Sequence, residues 1–129
     1  MDFREGRSIY LQIADYVCEQ ILLKHWPAGN KIISIRELAV LVEVNPNTVQ
    51  RAYDILQQRN IIINKRGVGY FIDENAIESV IAFRKEQFLE DELDVFFRNM
   101  YLLKIPVEEI KTRYELFIKK NFNANNDET

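Results

Sequence analysis

The stretch that decides the fold runs from residue 34 to residue 58 and reads SIRELAVLVEVNPNTVQRAYDILQQ. It opens with a capping box. We expect the Ser34 hydroxyl to accept a hydrogen bond from the Glu37 backbone N–H, and the Glu37 carboxylate to accept one from the Ser34 N–H. Apolar residues at helical spacing follow this start signal. They predict a short helix over Ile35–Val42.

A second helix start follows directly. Asn45 is a favourable N-cap residue, and Pro46 suits the first helical position, where the missing backbone N–H has no partner to lose. We therefore expect a helix over 46–58, joined to the preceding helix by a tight turn of about three residues. Two short helices connected in this way are typical of a helix-turn-helix.

The flanking sequence completes a winged helix. Apolar residues recur at four-residue spacing and predict a helix over Ser8–Trp26, and the short apolar run Lys31–Ile33 is typical of a single strand or an extended link. Residues 61–63 and 70–72 are strand-like and enclose the glycine-containing turn 65–69, so they predict a hairpin. The fold class predicted is mostly α-helical with a small β-hairpin, in the order helix, strand, helix, helix, hairpin.

The 46–58 helix is amphipathic, and its two faces predict different roles. The inner face carries Val49, Ala52, Tyr53 and Leu56. The outer face carries Asn47, Gln50, Arg51 and Asp54, with Thr48 near the helix start. Amide and guanidinium groups pair with base edges in a DNA major groove, and hydroxyls and helix N-terminal amides bind phosphates. An ordinary solvated polar face is the alternative.

Other residues are predicted to contribute to the same surface. Arg36 lies in the first turn of its helix, where a cation opposes the helix dipole, so it indicates a nearby anion such as a DNA phosphate. Pairing with an acid such as Glu43 is the alternative. Lys65 and Arg66 are expected to contact DNA from the hairpin tip, unless they are solvated turn charges. The predicted DNA-binding set also includes Ser34, Asn45, Gly67 and Gly69.

Residues 76–120 are predicted to form a separate helical segment, and 121–129 a disordered tail. One helix is expected to extend from about Asp73 to Leu103, and another to begin near Pro106. Two helices cannot enclose all their aromatic side chains, which therefore pack either on the winged helix or against a partner chain. The helix length favours a homodimer. The predicted dimerisation residues are Phe88, Leu89, Leu93, Phe96, Phe97, Met100, Ile110, Tyr114 and Phe117.

Composition restricts the function classes. The net charge of −3 by itself argues against a nucleic-acid binder. However, residues 1–75 hold 9 basic and 9 acidic residues, so the acidic excess lies entirely in residues 76–129. The single cysteine, Cys18, excludes an intramolecular disulfide and fits a reducing cytoplasm.

Several kinds of site are not expected. One cysteine and one histidine cannot supply a four-ligand zinc site, and the sequence predicts no metal and no cofactor. It also contains no phosphate-binding loop, signal peptide or transmembrane run. Because no nucleophile is paired with a base, an enzyme is not expected. The predicted location is the cytoplasm, with no membrane partner.

Three motifs follow one another along the chain: SIRELA at 34–39, VNPNTVQRAY at 44–53 and GVGYF at 67–71. Together they resemble the GntR family of bacterial winged-helix transcription regulators, and the second motif with a short helical C-terminal part is similar to its YtrA-like subgroup. The resemblance implies Arg36 as a DNA contact in the second helix, and homodimerisation through the C-terminal helices. It implies that the contacts of the recognition helix are made by Asn47, Thr48, Gln50 and Arg51. It also implies that the wing consists of Lys65, Arg66 and Gly67.

The function predicted is a homodimeric, sequence-specific transcription regulator. It would repress by reading a palindromic operator in double-stranded DNA, with helix 46–58 in the major groove and a wing at 65–69. A protein–protein adaptor built on the same winged helix, without DNA binding, is the main alternative, and a small enzyme is a third. The residues after Asn75 are too few for a large effector-binding domain, although an unidentified small-molecule effector stays open.

Overall fold

The computed structural model describes residues 1–3 and 5–123. The chain divides into two compact units, Met1–Glu86 and Gln87–Thr129, and each is described by itself. The elements of the chain are α1 (Ile9–Leu22), α2 (Ile35–Val42), α3 (Pro46–Gln58), β1 (Ile62–Lys65), β2 (Gly69–Ile72), α4 (Ala76–Gln87), α5 (Leu93–Leu102) and α6 (Val107–Ile118). Short π-helical segments occupy Phe88–Glu92 and Lys119–Asn123. The winged-helix order predicted from the sequence is confirmed.

α1 ends earlier than the sequence predicts. The helix stops at Leu22 rather than near Trp26, because Lys24 adopts a left-handed backbone conformation with a φ of 62°. The backbone N–H groups of His25 and Trp26 then both donate to the Gln20 carbonyl, at 2.9 and 3.2 Å. These bonds give the Gln20 carbonyl, at the end of the helix, its hydrogen-bond partners. In other proteins the left-handed residue at such a helix end is often a glycine.

The two strands form an antiparallel hairpin in which Ile62 pairs with Ile72 and Lys65 pairs with Gly69. The segment before α2 joins this hairpin through an isolated bridge between Lys31 and Phe71. This is the short extended link that the sequence predicted at residues 31–33. It anchors the start of α2 to the wing.

The core of the first unit unites all of its elements. Its almost completely buried large side chains are Ile13, Val17, Ile21, Leu38, Val49, Tyr53, Leu56, Ile61, Ile62, Ile72, Val80 and Phe83. Removing each such side chain from water contributes roughly 1.5–3 kcal/mol. Because Val80 and Phe83 of α4 belong to this core, the first unit extends to Glu86. This unit thus includes the beginning of the segment that the sequence predicts at 76–120.

The described part of the second unit consists of helices joined by a short turn at residues 103–106. A π-helical segment interrupts the single helix expected up to Leu103, so α-helical hydrogen bonding stops at Gln87 and resumes at Leu93. α5 ends where Lys104 takes a φ of 58°. Helical backbone continues to Asn123, past the predicted start of the tail at residue 121. The rest of that predicted tail, residues 124–129, lies outside the described residues.

Candidate nucleic-acid interface

Local hydrogen bonds fix where α2 and α3 begin. The Ser34 hydroxyl accepts from the Glu37 N–H at 3.1 Å and the Glu37 carboxylate accepts from the Ser34 N–H at 3.4 Å, so the predicted capping box is present. The Asn45 side-chain oxygen accepts from the Asn47 N–H at 2.8 Å. Ser34 and Asn45, both predicted as DNA contacts, therefore use their side-chain oxygens inside the protein as caps.

The core orients α3. Its inner-face residues Val49, Ala52, Tyr53 and Leu56 are all fully buried. The Tyr53 hydroxyl donates to the Ile33 carbonyl at 2.7 Å, and its ring packs edge-on against Tyr70 of β2, with centroids 5.0 Å apart. Burial raises the pKa of Tyr53 above its ordinary value, which keeps the hydroxyl protonated as a donor. This one side chain joins α3 to the start of α2 and to the wing.

The opposite face of α3 is polar and reaches solvent. Asn47, Gln50, Arg51 and Asp54 are exposed, and Thr48 is half-buried. The Gln50 amide donates to the Asp54 carboxylate at 2.9 Å. The guanidinium carbon of Arg51 lies 4.1 Å from the centre of the Tyr10 ring, over its face. The outer face predicted from the sequence is thus assembled on one side of α3.

Arg36 is exposed in the first turn of α2. Among residues 1–3 and 5–123 it forms no salt bridge, Glu43 included. Glu43 instead ends α2 in a left-handed conformation with a φ of 59°. The positive charge of Arg36 is therefore available to an anion from outside the protein.

The wing is a tight turn carrying two cations. The Val68 N–H donates to the Lys65 carbonyl at 2.8 Å, and Gly67 takes a φ of 77° that favours glycine. The Lys65 ammonium lies 4.2 Å from the centre of the Phe71 ring. Arg66 is exposed at the tip. Lys65, Arg66 and Gly67 thus form the wing that the sequence predicted.

Lys31 is a further cation at this surface, and the sequence analysis missed it. Its side chain lies against Gly69, where an added Cβ would approach the Lys31 Cε to 2.8 Å. Lys31 and Arg36 both line a cleft of about 310 Å³ between the start of α2 and the wing, with Gly69 and Tyr70. Lys31 reaches this cleft only because residue 31 pairs with the wing strand β2. The sequence shows only a basic residue next to an apolar run, which does not predict this position.

Neither a reactive thiol nor a cluster of metal ligands is found among the described residues. Cys18 is fully buried in α1, and burial raises the pKa of its thiol to about 12, so it stays protonated. No group of three or more His, Cys, Asp or Glu side chains within the described ranges could hold a metal ion. In the same ranges, none of the helices has the length and hydrophobicity that a membrane span requires.

Apolar side chains are exposed along the second unit. Of the predicted dimerisation residues, those between 43% and 64% exposed are Phe88, Leu89, Phe96, Phe97, Tyr114 and Phe117. Leu93 and Ile110 are half-buried, and Met100 is only 8% exposed, so it has little surface to offer a partner. Several further exposed apolar side chains lie outside the predicted dimerisation set: Val95, Tyr101, Leu102, Leu103, Val107 and Leu116.

Comparison with protein families gives one match that covers the whole interface. Residues 9–72 match the family described as bacterial regulatory proteins, gntR family. The matched range begins at the first residue of α1 and ends at the last residue of β2. It therefore contains every predicted DNA-binding residue.

Individual relatives extend the likeness beyond this range. The chain is 36% identical over 109 residues to the HTH-type transcriptional repressor YtrA of Bacillus subtilis (strain 168), covering 81% of this chain and 84% of that protein. The crystal structure of a GntR-family protein from Bacteroides thetaiotaomicron superposes with a TM-score of 0.73 at 46% identity, covering 87% of this chain and 97% of that chain.

One similar structure contains DNA. It is BusR of S. agalactiae in complex with its busAB-promotor DNA, with a TM-score of 0.61 and 25% identity. The match covers 88% of this chain and 57% of that one.

Proposed function

Because the chain belongs to the GntR family of bacterial regulatory proteins, with a DNA-binding winged helix typical of its transcription regulators, we propose that it is a homodimeric repressor. The operator in this proposal is palindromic, and each protomer reads one half of it. The observation that carries the proposal is the exposed outer face of α3 with its amide and guanidinium groups, together with the exposed cations of α2 and the wing.

α3 enters the major groove in this mechanism. Arg51 suits guanine, because its guanidinium can donate two hydrogen bonds to the O6 and N7 edge. Asn47 and Gln50 suit adenine, whose edge offers one acceptor and one donor. The bond from Gln50 to Asp54 uses one amide hydrogen, so Gln50 keeps a second amide hydrogen and its oxygen for a base.

Cations around α3 bind the phosphate backbone. Arg36 at the start of α2 and the wing residues Lys65 and Arg66 contact phosphates on either side of the groove, and Lys31 adds a contact from the cleft. The hydroxyl of Thr48 binds a phosphate near the start of α3, whose first N–H groups are already used by Asn45. These contacts provide affinity without sequence preference, and their strength falls with salt.

The homodimer forms through the helices of the second unit. Phenylalanine and tyrosine side chains are exposed together on α5 and α6. Monomeric proteins rarely expose a large contiguous apolar surface to water. A second copy of the chain covers this surface and supplies the second α3. Two-fold symmetry then requires an inverted repeat with half-sites an integral number of helical turns apart. This mechanism needs no small-molecule effector.

Two findings support the proposal over a protein–protein adaptor. The relative YtrA is named a repressor, and the similar BusR is seen with promoter DNA. An adaptor also has no need of amide and guanidinium groups on the exposed face of α3.

Selection of duplexes from a random-sequence library by the purified protein tests the proposal. We expect enrichment of one inverted repeat, and repression of a reporter whose promoter contains it. Fluorescence anisotropy then measures the salt dependence. Lys31, Arg36, Lys65 and Arg66 of two protomers make about eight phosphate contacts, so affinity is expected to fall about 10⁴-fold between 50 and 200 mM salt. The proposal would be contradicted if the selection enriched no sequence, or if the measured affinity did not depend on salt concentration.

A further inference from the structure

The position of Arg51 is set by an aromatic ring from a different helix. Its guanidinium carbon lies 4.1 Å from the centre of the Tyr10 ring, well within the distance at which a cation is attracted to a ring face. Tyr10 is the second residue of α1, far from Arg51 in the sequence. The contact therefore exists only because α1 packs against α3.

The two partners differ in how firmly the protein holds them. Tyr10 is half-buried and packs against the core of the first unit, so its ring is a fixed surface. Arg51 is exposed and, within the described part of the chain, its side chain donates no hydrogen bond and forms no salt bridge. The ring thus restricts the guanidinium while its five N–H donors stay available.

We propose that Tyr10 is a positioning residue for DNA recognition: its ring holds Arg51 in the DNA-free protein in a conformation from which the guanidinium meets the major groove. This inference rests on the proposed function, in which Arg51 contacts DNA. A flexible arginine loses side-chain freedom when it binds, and a ring that has already restricted it reduces that loss. The role of Tyr10 is to act through Arg51, without its own contact to a base.

The expected effect follows from the side-chain freedom involved. Ordering one rotamer-rich side chain at an interface corresponds to an affinity change of about twofold to tenfold. A dimer uses two Arg51 side chains, so loss of both rings is expected to weaken operator binding about fourfold to 100-fold.

A double-mutant cycle tests this role on the duplex that the wild-type protein selects from a random-sequence library. Tyr10→Leu is expected to weaken binding by the factor above, whereas Tyr10→Phe, which keeps the ring, stays within about twofold of wild type. In an Arg51→Ala background, Tyr10→Leu is expected to cause no further loss.

Two outcomes of the cycle would overturn the proposal. Equal loss from Tyr10→Leu with and without Arg51 would show that Tyr10 acts through the fold. Equal loss from Tyr10→Phe and Tyr10→Leu would assign the effect to the hydroxyl. Thermal unfolding of each variant shows whether it is folded.

A measurement on the wild-type protein without DNA keeps the proposal testable if Tyr10→Leu does not fold. Nitrogen-15 relaxation of the arginine Nε–H groups is expected to show Arg51 more ordered on the picosecond-to-nanosecond scale than Arg36 and Arg66, for which the structure records no ring contact. Arg51 as mobile as these two would overturn it. Failure to select any duplex would instead refute the proposed function, while this relaxation measurement would still report on the stacking.

Discussion

Replacing Tyr53 by phenylalanine removes one hydroxyl from the centre of the winged helix. The ring of Tyr53 is fully buried, and its edge-on contact with Tyr70 survives the change, so packing is preserved. What is lost is the 2.7 Å hydrogen bond to the Ile33 carbonyl. Loss of a hydrogen bond that leaves a buried acceptor without a partner lowers stability by about 1–3 kcal/mol. Because Ile33 is only half-buried and water can reach part of it, we expect the free energy of unfolding to fall by about 1–2 kcal/mol.

Urea denaturation at a fixed protein concentration measures this change, since dimerisation would make stability depend on concentration. The denaturation midpoint should fall with an unchanged m-value. Tyr10→Phe is the matched control, because the structure gives the Tyr10 hydroxyl no hydrogen bond within the described residues. A Tyr53→Phe variant as stable as Tyr10→Phe would refute the view that this bond holds α3 to the start of α2.

Three further predictions concern the second unit, the wing and the end of α4. Phe97→Glu places a charge on the exposed apolar surface, so light scattering is expected to show a mass near 15.3 kDa where the wild type shows twice that value. Changing Lys65 and Arg66 together to glutamine should lower the slope of log affinity against log salt by about four for a dimer, measured by anisotropy. Glu86→Gln should reduce stability at neutral pH, because hydrogen bonds from Arg59 hold the pKa of that carboxyl below its ordinary value of 4.5. The stability that Glu86 contributes is complete above pH 4.5 and is lost as pH falls through the lowered pKa, so the difference between wild type and Glu86→Gln in urea denaturation should vanish in acid.

Matched control variants distinguish these specific effects from a general loss of folding or charge. Val40→Glu adds the same charge at a highly exposed position on α2 and should leave the mass of the assembly unchanged. Lys24→Gln with Lys85→Gln removes two charges away from the wing and should leave the salt slope near the wild-type value. A monomeric wild type, an unchanged slope for the wing variant, or a Glu86→Gln deficit that persists in acid would each contradict the corresponding prediction.

The sequence predicted best those features that depend on neighbouring residues. The capping box of Ser34 and Glu37 and the Asn45 cap are local hydrogen bonds, and the inner face of α3 is a local periodicity. The end of α1 was harder, because the chain turns there through a left-handed conformation at Lys24, where glycine is the residue that usually indicates a helix end. The π-helical segment at 88–92 leaves the apolar pattern almost unchanged, so no sequence signal revealed it.

Contacts between distant parts of the chain could not be predicted. Lys31 reaches the interface because a bridge to Phe71 lays it against Gly69, and Tyr10 meets Arg51 because α1 crosses α3. Both depend on tertiary packing. Met100 illustrates the same dependence, since helical spacing predicts it as a dimerisation residue while the folded chain leaves it only 8% exposed.

The most direct test of the account is the operator affinity of Arg51→Ala, measured by anisotropy beside Lys85→Ala, which removes an exposed charge from α4. A bidentate base contact contributes about 1–3 kcal/mol in each of the two half-sites, so we expect Arg51→Ala to weaken binding by at least about 30-fold and to relax base preference at one position of each half-site. Lys85→Ala is expected to bind like the wild type. Wild-type affinity in a folded Arg51→Ala protein would contradict the claim that α3 reads the operator.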